Sequence, residues 1–163
     1  MEFFILYLNT KKTMEIKMIM AANAYKILKS LKTGEMSDET LMSVWKDINS
    51  CQPIALQYEE EFSTAMQELQ NAEFAEMQTK LQALNQKKSQ KDYVLSEEDK
   101  EESLKLNEYF NKIDTEAKKR FSEISQKAFD IEIEKLETKD FLKATKHSDM
   151  TMEGATILSW IFK

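Results

Sequence analysis

Almost nothing in this chain would stop a helix. Only two glycines and one proline fall in 163 residues, and stretches rich in Glu, Lys, Gln, Leu and Met, all good helix formers, fill the middle. Long helices joined by few turns follow from that scarcity of punctuation. The apolar residues, 42% of the chain, recur with a period instead of lying scattered, so a packed core is expected and whole-chain disorder is not. We expect a mainly α fold, a single helical domain over residues 14–163, built on a long antiparallel helical hairpin with shorter flanking helices and a small two-stranded sheet.

The elements can be placed by their start and stop signals. In "MEIKMIM" the residues Ile16, Met18 and Met20 alternate with others, which predicts a short strand. "NAYKILKSLKTG" carries Ala24, Ile27, Leu28 and Leu31 at helical spacing, with Gly34 placed to end that helix in a left-handed cap. Ser37 is the next N-cap, and Leu41, Val44, Trp45 and Ile48 form the predicted buried stripe of its helix. That helix should weaken near Cys51, ahead of Pro53, which also fits the first turn of a new helix with Ser50 as a candidate cap. From Ile54 a helical pattern runs to about Gln86 through Tyr58, Phe62, Met66, Leu69, Met77, Leu81 and Leu84, weakest at Glu73. "NQKKSQKDYVLSEED" reads as a hairpin tip, and Ser96 with Asp99 as a capping box. Leu106, Phe110, Ile113, Ala117, Phe121, Ile124 and Ala128 then mark the second long helix. A homodimeric coiled coil uses the same stripes, but the polar tip allows the pairing within one chain.

"FDIEIEKLETKDF" interrupts the helices. Phe129, Ile131 and Ile133 alternate with acidic residues, and β-branched isoleucine suits a pleated surface; a strand is the favoured reading, though the Glu and Lys residues also allow a helix. A lone strand leaves backbone groups unpaired, so we pair it with the segment around Ile16 and Met18, setting Lys17 against Glu132 and Glu134. Thr138 and Thr151 are expected to cap two short helices after it. The chain ends in a dense apolar cluster, best read as a helix docking to close the core. A sharper reading makes Trp160, Ile161 and Phe162 a partner-binding anchor.

Several function classes lose support. A net charge of −6, with Lys+Arg 23 against Asp+Glu 29, does not suit a nucleic-acid binder with a broad basic surface. The apolar run "EFFILYL" is too short for a membrane span and has neither the basic leader nor the cleavage site of a signal peptide. We take residues 1–13 as an extension or an upstream-start segment and Met14 as the natural start. Cys51 is expected to be a buried small hydrophobe, far in sequence from the sole histidine, His147. No phosphate-binding glycine loop, paired Cys/His spacing or Ser-His-Asp set stands out. We therefore expect no enzyme, cofactor, catalytic residue or metal site. The alternative is a small helical enzyme or ligand-binding bundle with a carboxylate-lined pocket.

From Met14 onward, "NAYKILKSL", "QPIALQYEEEF", "FDIEIEKLETKDF" and "MTMEGATILSWIF" resemble, in order and spacing, a family of small helical proteins encoded by tailed bacteriophages and prophages. That family has no established function, so no site residues carry over. The resemblance implies a phage or prophage accessory protein in the host cytoplasm or the virion. It would act through protein–protein contacts as a virion or assembly component or a host-protein binder. Its expected partner is a phage or host protein; nucleic acid and membrane are not expected, and a homo-oligomer is compatible with the stripes.

Overall fold

The computed structural model describes residues 13–32, 34–146 and 150–163. The elements run β1 (Thr13–Lys17), α1 (Met18–Ser30), α2 (Asp38–Leu69), α3 (Ala72–Lys88), α4 (Glu97–Gln126), β2 (Ala128–Glu132), α5 (Thr138–Ala144) and α6 (Met152–Ile157), closed by a 3-10 turn at Ser159–Ile161. The fold is mainly α with one small antiparallel sheet, as expected. It divides into two compact units, Met1–Tyr58 with Gln126–Lys163, and Glu59–Ser125.

In the first unit β1 pairs antiparallel with β2, Met14 opposite Ile131 and Ile16 opposite Phe129. Alternation puts these four on the inner face, where Ile16 and Ile131 are buried. The pairing was legible, but its details differ from expectation. The strand stops at Lys17 and α1 begins at once, with the Met18 N–H still donating to the Lys127 carbonyl at 2.8 Å. Antiparallel register sets Lys17 opposite Ala128 and Glu132 opposite Thr13, so the expected Lys17–glutamate match does not form. Ile133 lies beyond the strand, and Ala128 belongs to it instead of the preceding helix stripe. Residues 1–12 and His147 lie outside the described residues.

Helix α1 ends at Ser30 with Leu31 in extended backbone, and no glycine has a positive φ, so Gly34 makes no left-handed cap. The Ser37 hydroxyl does cap α2, accepting the Thr40 N–H at 3.3 Å. That helix then runs straight through Pro53. Proline removes one donor, the bond to the Asn49 carbonyl. Asn49 is on the exposed side, where water can meet that oxygen, while Cys51, Ile54 and Ala55 stay buried. Ser50 is thus an interior helix position and no cap. The stripe of α2 is also rotated from the predicted one. Val44 is buried, but Trp45 is 58% exposed and Leu41 37% exposed, and Asp47 takes a core position.

The rest of this unit closes over that core. Thr151 caps α6 by accepting the Gly154 N–H at 3.0 Å. Thr138 instead is the first residue of α5, its hydroxyl donating to the Lys163 carbonyl at 3.1 Å. Leu136 and Phe162 form a parallel bridge, with Leu136 N–H donating to the Ile161 carbonyl at 2.8 Å and Lys163 N–H to the Leu136 carbonyl at 2.9 Å. Phe141, Leu158 and Ile161 are fully buried beneath it.

The second unit is the helical hairpin. Phe62 stacks on Phe121 with ring centres 4.2 Å apart, Phe74 meets Phe110 edge-on at 5.6 Å, and Lys87 pairs with Asp99 at 3.3 Å. The first partner rises in number as the second falls, which is antiparallel packing. Ala65, Leu69, Leu84, Leu106 and Ile124 are its buried apolar residues among those described. The first strand of helix is not continuous from Ile54 to Gln86, however. It breaks at Gln70–Asn71, where the Asn71 side chain accepts the Phe74 N–H at 3.0 Å and caps a new helix. An asparagine that bonds its own following turn competes with the ladder, and here it wins close to the predicted weak step.

Candidate functional site

The tip of the hairpin, residues 89–96, is built around one carboxylate. Asp99 sits in the first turn of α4 and is only 8% exposed. Its Oδ2 accepts the Ser96 hydroxyl at 2.7 Å and the Tyr93 hydroxyl at 2.7 Å, and its Oδ1 accepts the Lys87 ammonium at 3.3 Å. The Asp99 N–H returns a bond to Ser96 Oγ at 3.1 Å, completing the capping pair expected from the spacing. A carboxylate with three donors favours its charged form. The Ser96 bond, then the Tyr93 and Lys87 bonds, hold Asp99 down to about 2. Loss of water, then the bond to Asp99, pushes the Tyr93 phenol up to about 12.

The network fixes the turn from both ends. Ser89 and Gln90 close α3 through N–H bonds to the Asn85 and Lys87 carbonyls, and Tyr93 N–H donates to the Gln90 carbonyl at 3.1 Å. Tyr93 is thereby tied down, and the next two residues are turned outward. Val94 is 84% exposed and Leu95 is also exposed. An ordered loop that shows its apolar residues to solvent, while its polar ones are satisfied inside, has the chemistry of a contact surface. The sequence held the signal, an apolar Tyr-Val-Leu triplet inside a polar run, but it reads equally as a turn filler.

Other candidates are placed less favourably. Ile161 is fully buried, Phe162 lies against Phe141 with ring centres 5.0 Å apart, and Trp160 is half-buried with its carbonyl accepting the Lys135 ammonium. These three form a docked end. Cys51 is fully buried, and loss of water, then the nearby Asp47, pushes its thiol up to about 12, so no thiolate is on offer at neutral pH. Within the second unit a hollow of about 340 Å³ is lined by Met77, Lys80, Glu98, Glu101, Glu102 and Lys105 among others. Its Glu101 is paired with Lys105 at 2.7 Å, and Lys80 with Glu76 at 2.7 Å. Among the described residues no group of three His, Cys, Asp or Glu side chains is set to hold a metal ion, and no helix is long and apolar enough to cross a membrane.

No protein-family description matches the chain, no curated protein matches its sequence, and no solved structure matches its fold.

Proposed function

We propose that the chain is a phage or prophage accessory protein that works by protein–protein contact, in the host cytoplasm or the virion, without catalysis. The observation that carries the contact reading is the hairpin tip. A buried carboxylate with three donors is spent on holding a short loop whose Val94 is 84% exposed. Apolar side chains presented on an ordered loop bind without a large ordering cost, and this suits a partner protein with a small apolar pocket.

The test is capture of a partner by the tagged full-length chain from infected or lysogenic cells. Val94→Asp with Leu95→Ser should cut recovery of a stoichiometric partner by about tenfold or more, as loss of an anchor does. The thermal melt should change little, since Val94 is 84% exposed and Leu95 lies at the exposed edge of the turn. Undiminished capture by this double variant would remove the tip from the reading.

A second reading rests on the hollow beside Met77 and Leu106, which Glu98, Glu101 and Glu102 help to line. A ligand-binding bundle would place a small cationic or polyhydroxyl molecule there. Saturable binding lost in Glu98→Gln, with the tip variant unaffected, favours this second reading over the first.

A further inference from the structure

Helix α2 has two faces with side-chain periodicity, and only one of them is used within its own unit. Val44, Asp47, Cys51 and Ile54 recur at steps of three and four on the buried side. Met42, Trp45, Asn49, Gln52 and Leu56 recur at the same steps on the side facing away. Met42 is 53% exposed, Trp45 58% and Leu56 52%, and Asn49 and Gln52 are exposed between them. None of the five carries charge, in a chain that is 32% charged. An uncharged line of five at coiled-coil spacing is what a second helix packs against.

The line is also self-complementary. Trp45 lies as far before the Ser50–Cys51 bond as Leu56 lies after it, and Asn49 and Gln52 stand at equal distances on either side. A two-fold axis through that point sets Trp45 of one copy on Leu56 of the other and Asn49 against Gln52. The second pairing joins two amides, each able to donate and accept. Pro53 adds to it, because the Asn49 carbonyl that it leaves without a helical donor lies on this same exposed side. Met42 would meet Glu59 in this register, which ends the apolar seam there.

We propose that the outer face of α2 is an isologous dimer seam, occupied by α2 of a second copy of this chain running antiparallel. An isologous interface must present the same patch to itself, and the symmetric order of apolar and amide residues meets that condition. The seam from Trp45 to Leu56 spans about 17 Å of helix, from the rise of about 1.5 Å per residue. That is small beside an obligate interface, so the dimer forms reversibly in the micromolar range. The proposal is independent of the hairpin tip, and its failure would leave the partner reading untouched.

Sedimentation of the full chain from about 1 to 200 µM reads the equilibrium directly. A monomer–dimer transition is expected, weakened at least about tenfold by Trp45→Glu and equally by Leu56→Glu. Both residues are more than half exposed, so both variants should keep the wild-type far-ultraviolet spectrum at low concentration. Orientation is read by oxidising a mixture of Asn49→Cys and Gln52→Cys chains. The antiparallel register gives mainly the mixed disulfide, and the buried Cys51 does not compete. Disulfides formed mainly between identical variants would overturn the register. A chain monomeric at every concentration overturns the proposal, even if it captures a foreign protein through Trp45. A dimer indifferent to both glutamate variants does so too.

Discussion

The backbone N–H of Glu134 donates to Asp47 Oδ1 at 2.8 Å, joining the segment after β2 to the buried side of α2 across 87 positions of sequence. The Glu134 side chain fastens the same segment from outside, accepting the Ser43 hydroxyl at 3.0 Å and the Lys46 ammonium at 2.5 Å. Asp47 itself has no exposed surface, and its Oδ2 has no hydrogen-bond partner among the described residues. Loss of water dominates its ionisation, and the carboxyl is pushed up to about 7, with Glu134 also raising it and the Glu134 N–H, Lys135 and Lys46 opposing.

A folded-state value raised above the unfolded one means that the native protein holds its proton more tightly. The contribution of Asp47 is then full below about 4 and is lost as pH rises through about 7. Stability of wild type relative to Asp47→Asn should therefore fall across that window, by at most about 4 kcal/mol. Asparagine keeps an oxygen for the Glu134 N–H, so it isolates the titration. Denaturant midpoints for both proteins between pH 4 and 8 measure it, and parallel curves would assign the pH dependence elsewhere.

Asp99 has the opposite sign. Held down to about 2, it supports the fold above its ordinary range near 4 and loses that support as pH falls through about 2. Asp99→Asn should melt earlier at neutral pH and should show a smaller loss on acidification. It should also bring one of the five tyrosines back toward the ordinary phenol range, because Tyr93 loses its charged acceptor. Tyrosinate absorbance against pH checks the last point.

Phe121→Ala removes the ring stacked on Phe62 at 4.2 Å. Both rings are half-buried, so the cost should fall at the lower end for aromatic truncation, about 3 kcal/mol. An unchanged denaturant midpoint would mean that the stripe adds nothing to the hairpin.

Ile131 faces Met14, four pairs along from the bonded pair of Met18 and Lys127. Bonded pairs alternate in an antiparallel ladder, so the Ile131 N–H belongs to it. Ile131→Pro should destabilise the sheet by about 3 kcal/mol or more. Asp130→Ala, on the solvent face, should stay within about 0.5 kcal/mol. Hydrogen exchange should show amides around Met14 and Ile16 losing protection in the proline variant alone.

Signals that act over a few residues were legible in the sequence. Ser37, Ser96 and Thr151 accept the N–H groups that their spacing predicts. The antiparallel stripes of the hairpin follow from 3.6 residues per turn, and the strand around Ile131 could be paired because only one other segment alternates. Which way each helix is rolled depends on partners distant in sequence. Trp45 reads as core and Asp47 as surface, yet the Glu134 N–H needs a buried acceptor and Asp47 supplies it, which turns Trp45 outward. Pro53 reads as a break, yet α2 continues because its lost bond falls on the wet side while Cys51 and Ile54 are buried on the other. The outward order of Val94 above Asp99 was likewise decided in three dimensions, by a hydroxyl and an ammonium brought from α3 and the turn to one carboxylate. Local periodicity and caps write the elements, but desolvation of a few polar groups chooses their faces, and that choice is a property of the assembled core.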